Sequence, residues 1–177
     1  MPGSAEFNGT LHEGKTRLKG QPKSTDFWAK LRPKYSDHVD EWHPLEAHCA
    51  DVAAVVESLL TKTLLRDRLG ALAGRDLTEV DVGRLSSLAA LHDAGKVNHG
   101  FQNKAWSDPK LDRDGHVGPM VNALKGPRDT TTEIFQALGL PQLLDWFEEP
   151  AQLEEFMLAT WGHHGRPVQP TPDFKPR

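Results

Sequence analysis

"LAALHDAGKVNHGFQ", residues 88–102, decides how this chain is read. Leu85, Leu88, Ala89 and His92 recur at the i, i+3, i+4, i+7 spacing of one helical face. Thr78 and Asp81 are both good caps upstream, so the spacing predicts a helix from Thr78 or Asp81 to Ala94. The apolar stripe ends on His92 and Asp93, followed at once by Gly95 and Lys96. His92 continues the buried face, while Asp93 is turned by about 100° toward a neighbouring surface. An acid near a helix C-terminus opposes the helix dipole, so this position asks for a compensating cation.

Working outward, "WHPLEAHCADVAAVVESLL" predicts an earlier helix with Pro44 in its first turn. Its buried stripe is Leu45, His48, Cys49, Val52, Val55, Val56, Leu59 and Leu60. Gly100 to Arg128 reads as a long loop with a short helix near Met120 to Leu124. Helices follow near Thr131 to Leu138, Pro141 to Phe147 and Ala151 to His163, the last burying Leu153, Phe156, Met157, Thr160, Trp161 and His164. Residues 1–36 read as an irregular leader with one short helix at Asp26 to Leu31, and "GSAEF" at 3–7 reads as a cloning scar. Residues 169–177 read as a proline-rich tail. No strand signal of any strength and no repeat is visible, so the expected fold class is all-α.

At 177 residues and 37% hydrophobic residues the chain is long enough for one domain with a real core. Its formal charge of −4 argues against a free-standing basic nucleic-acid binder, because nonspecific affinity comes from Lys and Arg displacing counterions. Any nucleic acid has to be delivered or held by metal. The single cysteine, Cys49, excludes an internal disulfide and reads as packing. With no apolar leader segment and no membrane-length apolar run, the expectation is a cytoplasmic soluble protein with no membrane partner.

Nine histidines matter only if they converge. His48 lies on the first helix's stripe, His116 in the glycine-flanked "DGHVGP", and His163 and His164 in "WGHHGRP". Each alone is more often structural, but imidazoles with a carboxylate are the donor set of first-row metals. "GTLHEGKT", residues 9–16, matches the P-loop pattern but lacks a preceding buried strand and a good following helix, so it is read as a decoy.

"HPLEAHCADVAAVVESLL", "LAALHDAGKVNHGFQ" and "WGHHGRP", in this order, resemble the HD nuclease domain of the CRISPR-associated helicase-nuclease of type I systems. The domain assigned on this basis spans residues 37–168. The resemblance implies an HD-domain helical bundle with His48, His92, Asp93, His116, His163 and His164 as metal ligands. Asp93 would bridge two metals, and Lys96 would contact the phosphate. By analogy Asp93, His116, His163 and His164 form one site, and His48, His92 and Asp93 the other. The family adds a distal aspartate on a later helix. This chain ends at Arg177, and Asp173 in the proline-rich tail is a poor substitute, so the chain reads as a truncated domain with one metal site short of a carboxylate.

The implied activity is metal-dependent endo- or exonucleolytic cleavage of single-stranded DNA in CRISPR interference, using two divalent metals and a metal-bound hydroxide. The implied partners are a superfamily 2 helicase, as a separate subunit or a fused domain, and a guide-RNA surveillance complex. Imidazole-rich ligation points to manganese, iron, cobalt or nickel rather than magnesium. Two other readings stay open: an HD phosphohydrolase of nucleotides or small phosphoesters, and a noncatalytic binding or scaffold domain.

Overall fold

Proline has no N–H to leave unpaired at a helix start. In the computed structural model Pro44 ends a strand and serves as the N-cap of the next helix, with φ −56° and ψ 143°. The structure describes residues 11–12, 15–33, 38–124, 128–162, 165 and 168. The strands are β1 (Leu11–His12), β2 (Lys15–Thr16), β3 (Leu18–Lys19), β4 (Trp28–Arg32) and β5 (Glu41–Pro44). The helices that follow are α1 (Leu45–Leu60), α2 (Thr63–Ala73) and α3 (Glu79–Ala90), then a 3₁₀ segment (Leu91–Val97). The chain continues through α4 (His99–Trp106), α5 (Val117–Leu124), α6 (Arg128–Ala137), α7 (Leu140–Leu144) and α8 (Pro150–Trp161).

The protein is mostly helical, as the periodicity predicts, but it carries a small sheet that the sequence reading lacks. β5 is central, antiparallel to β3 on one side and to β4 on the other, with Trp42 opposite both Leu18 and Leu31. The short helix expected at Asp26 to Leu31 is therefore a strand over most of its length. A register shift between Trp28 and Lys30 breaks the two-residue alternation that would have betrayed it, leaving Trp28 and Ala29 both buried. In the "GTLHEGKT" stretch, Lys15 and Thr16 lie in a strand paired with β1, not at a helix start, as the decoy reading requires.

Local chemistry accounts for the helix ends. Thr78 accepts from the Asp81 backbone N–H while the Asp81 carboxylate receives the Thr78 backbone N–H, a reciprocal capping box that uses both candidate caps. Arg75 adds two hydrogen bonds to Asp81, at 2.7 and 2.8 Å, and with the Thr78 bonds holds its carboxyl well below the usual range. α2 stops at Gly74, whose φ of 67° suits glycine. Both α2 and α4 fall where no helix was predicted. α3 itself ends at Ala90 rather than Ala94, because the chain tightens there into the 3₁₀ segment.

Two apolar clusters hold these elements together. The larger contains Leu88, Met120, Val121, Leu140, Leu143, Leu153, Met157 and Trp161. The smaller places Trp28, Val39 and Trp42 of the sheet region against Phe101 and Ala105 of α4. Trp161 donates its indole N–H to the Leu91 carbonyl at 3.1 Å, fixing α8 to the start of the 3₁₀ segment. The predicted stripes are wider than the faces that are buried: Val55 and Leu59 on α1 and Phe156 on α8 are exposed. α1 packs chiefly on α3, which covers only part of its apolar arc. No described helix is long and apolar enough to cross a membrane.

Candidate metal centre

The tight winding after α3 assembles the site. A 3₁₀ helix has three residues per turn, so side chains at i and i+3 eclipse. Asp93 and Lys96 stand in that relation, and Lys96 Nζ lies 2.6 Å from Asp93 Oδ2. Opposite them α1 contributes His48, whose Nε2 is 3.0 Å from the same oxygen. His92 Nε2 is 3.1 Å from it as well, while His116 Nε2 approaches the other carboxylate oxygen at 3.2 Å. Asp93 is 2% exposed at the centre of this group.

The packing around the 3₁₀ segment explains the glycines. A Cβ on Gly95 would run into the His116 carbonyl oxygen and the Met120 side chain, so glycine is what lets the loop before α5 close over the site. Gly100 plays the same part for Asp114, and the Asp114 N–H donates to the Gly100 carbonyl at 3.0 Å. Asn98 caps α4 by accepting from the Phe101 N–H at 2.8 Å, and its amide also donates to the Gly95 and Gly115 carbonyls.

Gln102 secures Lys96. Fully buried, it accepts from the Trp28 N–H at 3.0 Å and donates to the Trp28 carbonyl at 3.0 Å and the Lys96 carbonyl at 2.7 Å. Trp28 returns its indole N–H to the Gln102 carbonyl at 3.2 Å. Lys96 Nζ donates in addition to the Ala29 carbonyl at 3.2 Å, so the overlooked strand β4 helps to hold the cation beside Asp93.

Proton accounting tests whether a cation fits. His92 Nδ1 lies 2.8 Å from the Ala89 carbonyl oxygen, which can only accept, so Nδ1 carries the proton. In a neutral ring Nε2 then offers a lone pair toward a carboxylate, and two acceptors at 3.1 Å repel. A positive ion between the two groups would remove that repulsion. One nitrogen pinned by a backbone carbonyl and the other turned into a shared pocket is how a metal-binding histidine is usually oriented. Ligand atoms of His48, His92 and Asp93 all lie within 4.8 Å of one another, and their nitrogen and oxygen donors suit a divalent first-row metal. Burial pushes the Asp93 carboxyl up, but the close approach of His116, His48, His92 and Lys96 more than reverses this, so it stays ionised and available as a ligand.

Four of the six predicted ligands, His48, His92, Asp93 and His116, come together with Lys96. His163, His164 and Asp173 lie outside the described residues. His99 is exposed with its ring 6.2 Å from that of Trp106. The sequence reading missed His43 of β5, 2% exposed, with its ring 5.7 Å from His48 and Nε2 3.5 Å from Asp51 Oδ2. Burial lowers its pKa, with Asp51 partly opposing. Its inward position becomes legible only once residues 41–44 are known to be a strand. Cys49 is a packing thiol pushed up to about 11 by burial and then by the Asp93 charge.

Fold and site together define a helical domain built around a His–Asp cluster fit for a divalent ion. Residues 28–176 match the family model described as "Cas3, HD domain", and the chain belongs to that family. Comparison with curated proteins and with solved structures returned no match. Family and cluster together support a metal-dependent HD nuclease in CRISPR systems, working with a helicase partner.

Proposed function

We propose that this domain hydrolyses phosphodiester bonds of single-stranded DNA in type I CRISPR interference. In this reading His48, His92, Asp93, His116, His163 and His164 would hold two divalent transition-metal ions, manganese, iron, cobalt or nickel. The observation that carries it is the division of the Asp93 carboxylate, with Oδ2 toward His48 and His92 and Oδ1 toward His116. A bridging carboxylate needs that arrangement. Such ions supply Lewis acidity toward the phosphate and lower the pKa of water.

The chain's own groups supply position and charge. The Ala89 carbonyl fixes the His92 ring so that Nε2 faces the pocket. Lys96 spends two of its three N–H donors on Asp93 and Ala29, leaving a third for a phosphate oxygen where negative charge builds. A helicase partner and a guide-RNA surveillance complex would deliver the strand, consistent with a chain whose net charge of −4 is unsuited to capturing DNA alone.

The test is a side-by-side assay of the purified chain with manganese, using end-labelled single-stranded DNA and a panel of nucleotides and small phosphoesters. Cleavage of DNA, abolished by a chelator, is the expected result. Turnover confined to nucleotides would make it a small-molecule phosphohydrolase, and no metal bound by elemental analysis would make it a scaffold.

A further inference from the structure

A second ammonium stands beside the centre, and the chemistry above does not use it. Lys104 follows Phe101 by three residues on α4, which turns it onto the same side of the helix. Its Nζ lies over the Phe101 ring, 4.2 Å from the centroid. The same ring stacks on Trp28 at 4.5 Å and meets His116 edge-on at 5.4 Å, and Lys96 Nζ is 5.4 Å from its centroid. Phe101 is therefore a shared wall. Lys104 can lie no farther from Lys96 Nζ, or from the His116 ring, than the two legs of 4.2 Å and 5.4 Å laid end to end.

The two lysines differ in their partners. Lys96 is neutralised by Asp93 at 2.6 Å, whereas Lys104 has no carboxylate within ion-pair distance among the described residues. It is half-buried, and that burial lowers its pKa, with Asp114 opposing and Lys96 and Arg113 adding to the effect. A partly desolvated cation on an aromatic face, with other cations nearby, is a ready receptor for an anion. Even in a duplex each strand carries only one phosphate per about 3.4 Å of axis, and a more extended single strand held at Lys96 still brings its next phosphate into this range.

We propose that Lys104 binds a backbone phosphate flanking the scissile one, and so favours polynucleotides over mononucleotides. This rests on the nuclease reading above. The test uses the full chain as wild type, Lys104→Gln and Lys104→Arg, with three measurements: anisotropy of fluorescein-labelled oligothymidylate in chelator across a salt series, manganese-dependent cleavage of that oligomer, and hydrolysis of bis(p-nitrophenyl) phosphate, a diester with no neighbouring phosphate. Lys104→Gln should weaken oligomer binding and raise KM about tenfold, the size of one hydrogen bond to a charged group. Its salt slope should flatten by about 0.7, one contact on a single strand. Turnover of the small diester should stay within twofold, and Lys104→Arg should restore the slope. An unchanged slope and KM for Lys104→Gln would overturn the proposal, as would equal losses on both diesters, which would mean that Lys104 only supports Phe101. If wild type hydrolyses neither diester yet binds the oligomer with a Lys104-dependent slope, the nuclease reading fails and the phosphate contact stands.

Discussion

Replacing Asp93 by Asn in metal-free protein tests the electrostatic core of the site. Asp93 Oδ2 and Lys96 Nζ are 2.6 Å apart, and the side chains are only 3% and 10% exposed. At an effective dielectric constant of about 20, a pair at that distance attracts by roughly 6 kcal/mol before desolvation. Asparagine keeps the shape but strands the ammonium, and breaking a buried pair from one side costs about 3–5 kcal/mol. Against a total stability of about 5–15 kcal/mol the variant should still fold, with a Tm lower by roughly 10 °C. Lys96→Met in the same chain removes the stranded charge, so the double variant should recover at least about 2 kcal/mol, a coupling of the size found for groups in contact. Urea unfolding in chelator for wild type, both single variants and the double variant closes the cycle. A cost under about 1 kcal/mol for Asp93→Asn, or simple additivity, would show that the two charges are not coupled, contrary to the argument.

Three further outcomes can be checked separately. Gln102→Leu deprives the Trp28 N–H, the Trp28 carbonyl and the Lys96 carbonyl of partners. At about 1–3 kcal/mol for each buried group left unmet, urea unfolding should report a loss of at least about 3 kcal/mol. Gly95→Ala drives a methyl group into the His116 carbonyl, so calorimetry should find weaker manganese binding together with about 1–3 kcal/mol of overpacking strain; wild-type affinity would mean the loop closes without needing glycine. The Cys49 thiol is pushed up to about 11, so it is protonated at neutral pH and gains reactivity only as pH rises toward that value. At pH 8 iodoacetamide should modify it roughly two-hundredfold more slowly than a free thiol of ordinary pKa, and at the free rate once urea unfolds the chain.

How much was legible depends on the range of the interaction. His92 and Asp93 announce themselves because an apolar helical period runs straight into them, and His48 because it interrupts an apolar stripe with a polar ring. These are local signals, carried by residues within two turns of one another. The resemblance to a known family added His116, which no period marks. Strand β4 escaped because its bulge puts two consecutive residues inside, and with it went the reason for Gln102 and the anchoring of Lys96, contacts spanning 74 and 67 positions in the chain. His43 was hidden for the same reason.

The chain's local pattern by itself determined a helical domain, a cap for α3 at Thr78 or Asp81, and residue types suited to holding a metal. The tertiary structure alone decided that the chain after α3 winds as a 3₁₀ segment, that Lys96 eclipses Asp93, and that His116 meets the far carboxylate oxygen. Periodicity reports which side of an element faces inward, because burial repeats with the element's own turn. Which distant group it then meets is set by backbone clearances such as that at Gly95 and by hydrogen bonds between segments, and neither repeats along the sequence.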